Sequence, residues 1–124
     1  MVLLMAIGVC AALTLPVVAA ADDDRREVRR AGTCTGSSRA SIRLKADDGD
    51  IQVEFEIATR STTGTWTVVL VHERRVAFRG PIRPRGGGRS VRLRRTVADW
   101  FGRDTIVVRA AGPGVETCRA TATV

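Results

Sequence analysis

An all-β fold is what this 124-residue chain predicts: a small antiparallel β-sandwich of about eight short strands, behind an N-terminal signal helix. After Ser38, apolar and polar residues alternate with a period of two, the pattern of half-buried strands. No window there carries an apolar stripe at helical spacing. Gly- and Pro-bearing breaks recur at the short intervals expected of strands joined by tight connections. With 44% hydrophobic and 27% charged residues, the composition is that of a folding chain and excludes a disordered tail, collagen, a coiled coil and a polytopic membrane protein.

Residues 1–21 contain no charged side chain, and only Gly8, Thr14 and Pro16 interrupt their apolar run. The run closes on Ala19-Ala20-Ala21 before Asp22-Asp23-Asp24, which reads as a secretory signal peptide cleaved after Ala20 or Ala21. Pro16 and the alanine-rich end distinguish it from an uncleaved membrane anchor. Val9 stands before Cys10, where a lipid-modification signal wants a small residue, so Cys10 reads as an ordinary leader residue. Residues 22–26 form a flexible charged segment and 27–124 the sandwich domain. Two cysteines remain in that domain, Cys34 and Cys118, one near each end. An even count outside the cytoplasm implies a disulfide.

A first strand is expected over 27–34. In 40–46 the apolar residues fall on even positions; after Asp47-Asp48-Gly49-Asp50 the parity reverses, so that Ile51, Val53, Phe55 and Ile57 point inward. Gly and Asp tolerate positive φ, which makes the intervening segment a hairpin turn. Beyond the polar loop 60–64, residues 66–71 are almost continuously apolar, the mark of a strand buried more fully than its neighbours. A short strand over 76–78 is followed by an exposed Gly- and Pro-rich loop, 80–88. Strands over 90–97, 105–111 and 117–124 complete the set. In the last, Cys118, Ala120, Ala122 and Val124 share one face, placing the sulfur inward and making the first and last strands neighbours. Trp66 lies 32 residues after Cys34 and the chain has no Tyr, so the antibody pattern is absent; the fold is immunoglobulin-like only in the broad sense of two packed antiparallel sheets.

The segments Gly32-Thr33-Cys34-Thr35-Gly36-Ser37-Ser38 and Asp48-Gly49-Asp50-Ile51-Gln52-Val53-Glu54-Phe55-Glu56, the Trp66 strand, Gly102-Arg103-Asp104-Thr105-Ile106 and the late Cys118 together resemble a group of small secreted proteins from high-GC actinobacteria. The resemblance spans nearly the whole mature domain. It implies export and the disulfide, and none of its motifs is a catalytic signature.

Charge is distributed unevenly. Residues 22–56 carry seven basic and nine acidic groups, residues 57–124 carry 13 and four. Arg74, Arg75, Arg79, Arg83, Arg85, Arg89, Arg92, Arg94 and Arg95 follow one another with no carboxylate between them, a candidate anion-binding surface because guanidinium groups suit bidentate oxyanion contact. Arg92 and Arg94 also occupy outward positions that any soluble strand fills with polar residues. The sole histidine, His72, has no positioned acid in the sequence, and a zinc site lacks ligands once both cysteines are bridged; a surface or half-buried strand-end role is expected. No Gly-x-Ser-x-Gly elbow occurs, and neither catalysis, a metal nor a cofactor is expected. Asp47, Asp48 and Asp50 depart from EF-hand spacing and read as turn residues rather than calcium ligands. In Asp99-Trp100-Phe101-Gly102-Arg103-Asp104 the two aromatics are expected to cap the open end of the core.

The resulting expectation is a secreted, monomeric, non-enzymatic binding module whose Arg-rich face contacts anionic cell-envelope polymers, or a secreted protein partner. Specific nucleic-acid binding is not expected, because Phe55, Trp66 and Phe78 sit at inward positions. Membrane contact would come only through an uncleaved leader. The alternative is a secreted inhibitor of an extracellular enzyme, presenting 81–88 or 99–104 as a rigid loop.

Overall fold

In the computed structural model, which describes residues 26–60, 64–85, 87 and 89–124, the alternating segments become nine strands. These are β1 (Arg26–Ala31), β2 (Thr33–Cys34), β3 (Arg39–Asp47), β4 (Asp50–Ala58), β5 (Trp66–His72), β6 (Arg75–Ile82), β7 (Ser90–Ala98), β8 (Thr105–Ala111) and β9 (Thr117–Thr123), with no helix among the described residues. The expected signal peptide lies outside the described residues. The strands form two antiparallel sheets, ordered β1-β3-β4-β7 and β2-β9-β8-β5-β6.

Strand parity decides which side chains are buried. Ile42, Leu44, Ile51, Val53, Phe55 and Ile57 of the four-stranded sheet join Trp66, Val68, Leu70, Ile106 and Val108 of the five-stranded sheet in one hydrophobic cluster. Asp47 pairs with Asp50 across a two-residue turn in which Asp48 (φ 53°) and Gly49 (φ 81°) both adopt the left-handed conformation that matches hairpin twist.

Two expectations are corrected. The segment 27–34 is not one strand: at Gly32 the chain leaves the four-stranded sheet and enters the other. A Cβ at Gly32 would lie 2.5 Å from the Arg119 carbonyl oxygen and 3.0 Å from the Cβ atoms of Ala40 and Ala120, so the crossing needs glycine for space. The loop expected over 80–88 starts only at Arg83, because Gly80, Pro81 and Ile82 extend β6. β6 is an edge strand, bonded only to β5, and an edge is where a strand tolerates proline.

Cys34 and Cys118 are directly opposed in the β2–β9 pair and form a disulfide. The adjoining chain is tied down as well. Thr35 N–H donates to the Thr117 carbonyl at 2.9 Å, Thr117 N–H to Thr35 Oγ1 at 3.0 Å, and the Ser38 hydroxyl to the Glu116 carboxylate.

Candidate functional site

The nine arginines lie in the β5–β6 turn (Arg74), along β6 (Arg75, Arg79), in the connection that follows it (Arg83, Arg85, Arg89) and along β7 (Arg92, Arg94, Arg95). β6 and β7 are edge strands of different sheets, and this connection carries the chain between them. The structure divides the nine into two groups. Arg92 pairs with Glu56 at 3.0 Å and Arg94 with Glu54 at 3.3 Å on the outer face of the four-stranded sheet. Arg95 occupies a core-facing register position opposite Val53 at the sheet edge, and its guanidinium lies 4.3 Å from the Phe78 ring centroid, in cation–π range. Arg75 lies 5.7 Å from the Trp100 centroid. Arg74, Arg79, Arg83, Arg85 and Arg89 have no ion-pair partner among the described residues. Arg79 and Pro81 also discourage edge-to-edge pairing by β6, a structural task that arginine and proline share at many sheet edges.

The outer faces of the two sheets differ in charge logic. On the four-stranded sheet the register sets Glu54 between Arg43 and Arg94 and pairs Glu56 with Arg92, while the Arg29 hydrogen bond to exposed Glu27 holds that carboxyl below its usual pKa. The five-stranded sheet has no such balance. Arg109 and Arg119 stand directly opposite each other in the β8–β9 pair, and no carboxylate among the described residues pairs with either. They line a groove of about 490 Å³ with Val69, Ala111, Thr117 and the Cys34–Cys118 bridge. An adjoining hollow of about 520 Å³ shares Arg109 and is lined by Val71, Glu73, Arg74, Thr105 and Val107.

A second cluster closes one end of the domain. His72, at the end of β5, is buried, and its Nε2 lies 2.8 Å from Asp104 Oδ1. Trp100 stacks on the imidazole with centroids 4.0 Å apart and planes 16° from parallel, and its backbone N–H donates to the same Asp104 oxygen at 3.3 Å. Burial pushes the Asp104 carboxyl up, but hydrogen bonds from His72, Asp99 and Trp100 N–H outweigh that and hold it below the usual carboxylate range. The hydrogen bond to Asp104, reinforced by burial and by the Asp104 charge, pushes Asp99 up against the pull of Arg26 at 3.5 Å. Asp104 Oδ2 is buried and has no hydrogen-bond partner among the described residues.

His72 is therefore neither exposed nor without an acid, as its sequence context implied; register brings Asp104 to it from 32 residues away. Neither aromatic joins the core as expected: Trp100 is 40% exposed and stacks on His72, and Phe101 is fully exposed. Asp47, Asp48 and Asp50 serve the β3–β4 turn, whose Gly49 carbonyl accepts Asp99 N–H at 2.8 Å. Arg109 and Arg119 escape a search for charge runs because each is isolated along the chain. Their signal is the outward parity of the last two strands across the Gly112-Pro113-Gly114 turn. The 66–72 strand is more buried than its neighbours, as its apolar run predicts, with Trp66, Val68 and Leu70 on the core face and partly exposed Val69 and Val71 lining these grooves on the other. Compared with protein-family models, curated proteins and solved structures, the chain matches none of them.

Proposed function

We propose that this chain is an exported, non-enzymatic binding module, a β-sandwich immunoglobulin-like in the broad sense, that holds anionic cell-envelope polymers against its arginine-rich side. The observation that carries this reading is the run of guanidinium groups without an ion-pair partner among the described residues, Arg79, Arg83, Arg85 and Arg89, along β6 and the following connection. Unneutralised cations at an edge create a positive field that attracts polyanions, and each guanidinium fork can donate two hydrogen bonds to oxyanion oxygens. Export is supported by the apolar leader, by the disulfide, which suits an oxidising compartment, and by the resemblance to small secreted actinobacterial proteins. The non-enzymatic part is supported by the burial of both His72 and Asp104, which are engaged with each other, with Trp100 and with Asp99.

Substitution discriminates the two groups of arginines. Each exposed arginine–anion contact is worth up to about 1 kcal/mol, so R79Q/R83Q/R85Q is expected to weaken retention on a poly(glycerol phosphate) resin about tenfold or more. R92Q/R94Q, which removes cations already paired with Glu56 and Glu54, should weaken it by about threefold or less. Equal losses from both variants would mean that net charge, rather than this edge, governs retention.

A further inference from the structure

The unbalanced groove on the outer face of the five-stranded sheet lies outside the arginine run and is independent of the polymer reading. Two guanidinium groups directly opposite in an antiparallel pair repel one another, and no carboxylate among the described residues forms an ion pair with either. Both side chains line the same cavity, at about 490 Å³ within the range of small-ligand sites. Its walls are held before any ligand arrives: the disulfide, the Thr35–Thr117 hydrogen bonds and the Ser38–Glu116 contact fix the β2–β9 side. Its floor is aliphatic, with Val69 and Ala111, and continues past Arg109 to Val71 and Val107 in the adjoining hollow. No aromatic ring lines either hollow, so nothing there is built to stack a sugar or a base.

From this arrangement we infer that the groove binds a small aliphatic carboxylate. The carboxylate sits between the Arg109 and Arg119 forks, the threonine hydroxyls at the rim complete its hydrogen bonds, and the hydrocarbon lies along Val69, Val71 and Val107. A planar two-oxygen anion matches the guanidinium geometry and relieves the like-charge pair, while the alkyl portion covers apolar surface that the sheet otherwise exposes.

Octanoate below its micellar concentration is the probe, followed by amide chemical shifts in two-dimensional NMR on the full mature domain with its disulfide intact. Saturable shifts centred on Val69, Arg109, Ala111 and Arg119 are expected, with affinity at least tenfold weaker in R109Q/R119Q and unchanged in R79Q/R83Q/R85Q. The variant's own spectrum reports whether it is folded, and R119Q alone, expected to be at least threefold weaker, serves if the double variant is not. Inorganic phosphate and octyltrimethylammonium are expected to bind at least tenfold more weakly than octanoate. Phosphate binding as tightly as octanoate would remove the aliphatic part of the inference. An absence of saturable octanoate binding, shifts centred elsewhere, or unchanged affinity in the folded arginine variants would overturn it altogether. Retention on poly(glycerol phosphate) is read separately, so either proposal can fail alone.

Discussion

The C34A/C118A variant is expected to unfold with a stability about 4–5 kcal/mol below that of the oxidised protein, by the loop-closure estimate for a bridge spanning a separation of 84 residues. The bond joins the second strand to the last, so in the oxidised unfolded chain almost the whole domain is a closed loop. Few other single links could restrict that ensemble as much. The folded state contributes less: β2 has only two residues, and its ladder to β9 comprises Thr33 with Arg119 and Cys34 with Cys118. Against a typical domain stability of about 5–15 kcal/mol the loss is large. Urea unfolding monitored by circular dichroism measures it. A variant within about 1 kcal/mol of the oxidised protein would show that β2 and the β8–β9 hairpin are held together mainly by their other contacts.

Replacing Asp104 by alanine is expected to cost about 3 kcal/mol at pH 7, because it leaves buried hydrogen-bonding groups without their acceptor, at about 1–3 kcal/mol each. The substitution leaves the His72 imidazole and the Trp100 N–H without their shared acceptor at a site where His72 is 3% exposed and Asp104 1%. The cost should depend on pH with a defined sign. Asp104 has a folded-state pKa held below the usual carboxylate range, so its stabilisation is complete above its unfolded-state value and is lost as pH falls through the folded one. Asp99 is shifted upward, so its contribution is complete below its unfolded-state value and is lost as pH rises through the folded one. Through the Asp104 carboxylate the gap between wild type and D104A narrows on acidification toward about pH 2, below both ordinary carboxylate values, and the Asp99 contribution, of opposite sign, offsets part of that narrowing. Urea unfolding of both proteins at the two pH values reads this directly. A gap below about 1 kcal/mol at pH 7, or one that widens in acid, would contradict the role assigned to the carboxylate.

What could be read from residues alone was whatever depends on period two. Parity in 40–46 and 51–57 identifies the inward faces, and Asp48-Gly49 identifies the turn, because both are local consequences of strand geometry and allowed φ. The inward position of Cys118 follows from the same alternation. The crossing at Gly32 was hidden because the atoms that exclude a side chain there belong to Arg119, Ala120 and Ala40, which approach it only in the assembled fold. Pro81 marks the end of a strand in a central position but not on an edge, and edge status is a property of the sheet. His72 and Asp104 meet because antiparallel pairing places His72 opposite Ile106, a register that composition does not display. Counting charges along the chain found the arginines of 74–95 together, yet folding neutralises Arg92 and Arg94 and leaves Arg109 and Arg119, isolated in sequence, as an unrelieved pair.

The central claim is that an unpaired cationic edge, acting through charge, holds an anionic polymer. It is tested most directly by the salt dependence of binding between the mature, disulfide-bonded domain and soluble poly(glycerol phosphate). Exposed charges separated by more than a Debye length, about 10 Å at 0.1 M salt and about 3 Å at 1 M, are screened from one another. Affinity is therefore expected to fall at least tenfold between about 0.05 M and 0.5 M sodium chloride, and the R79Q/R83Q/R85Q variant to show a shallower fall. An affinity that stays constant across that range would contradict the account.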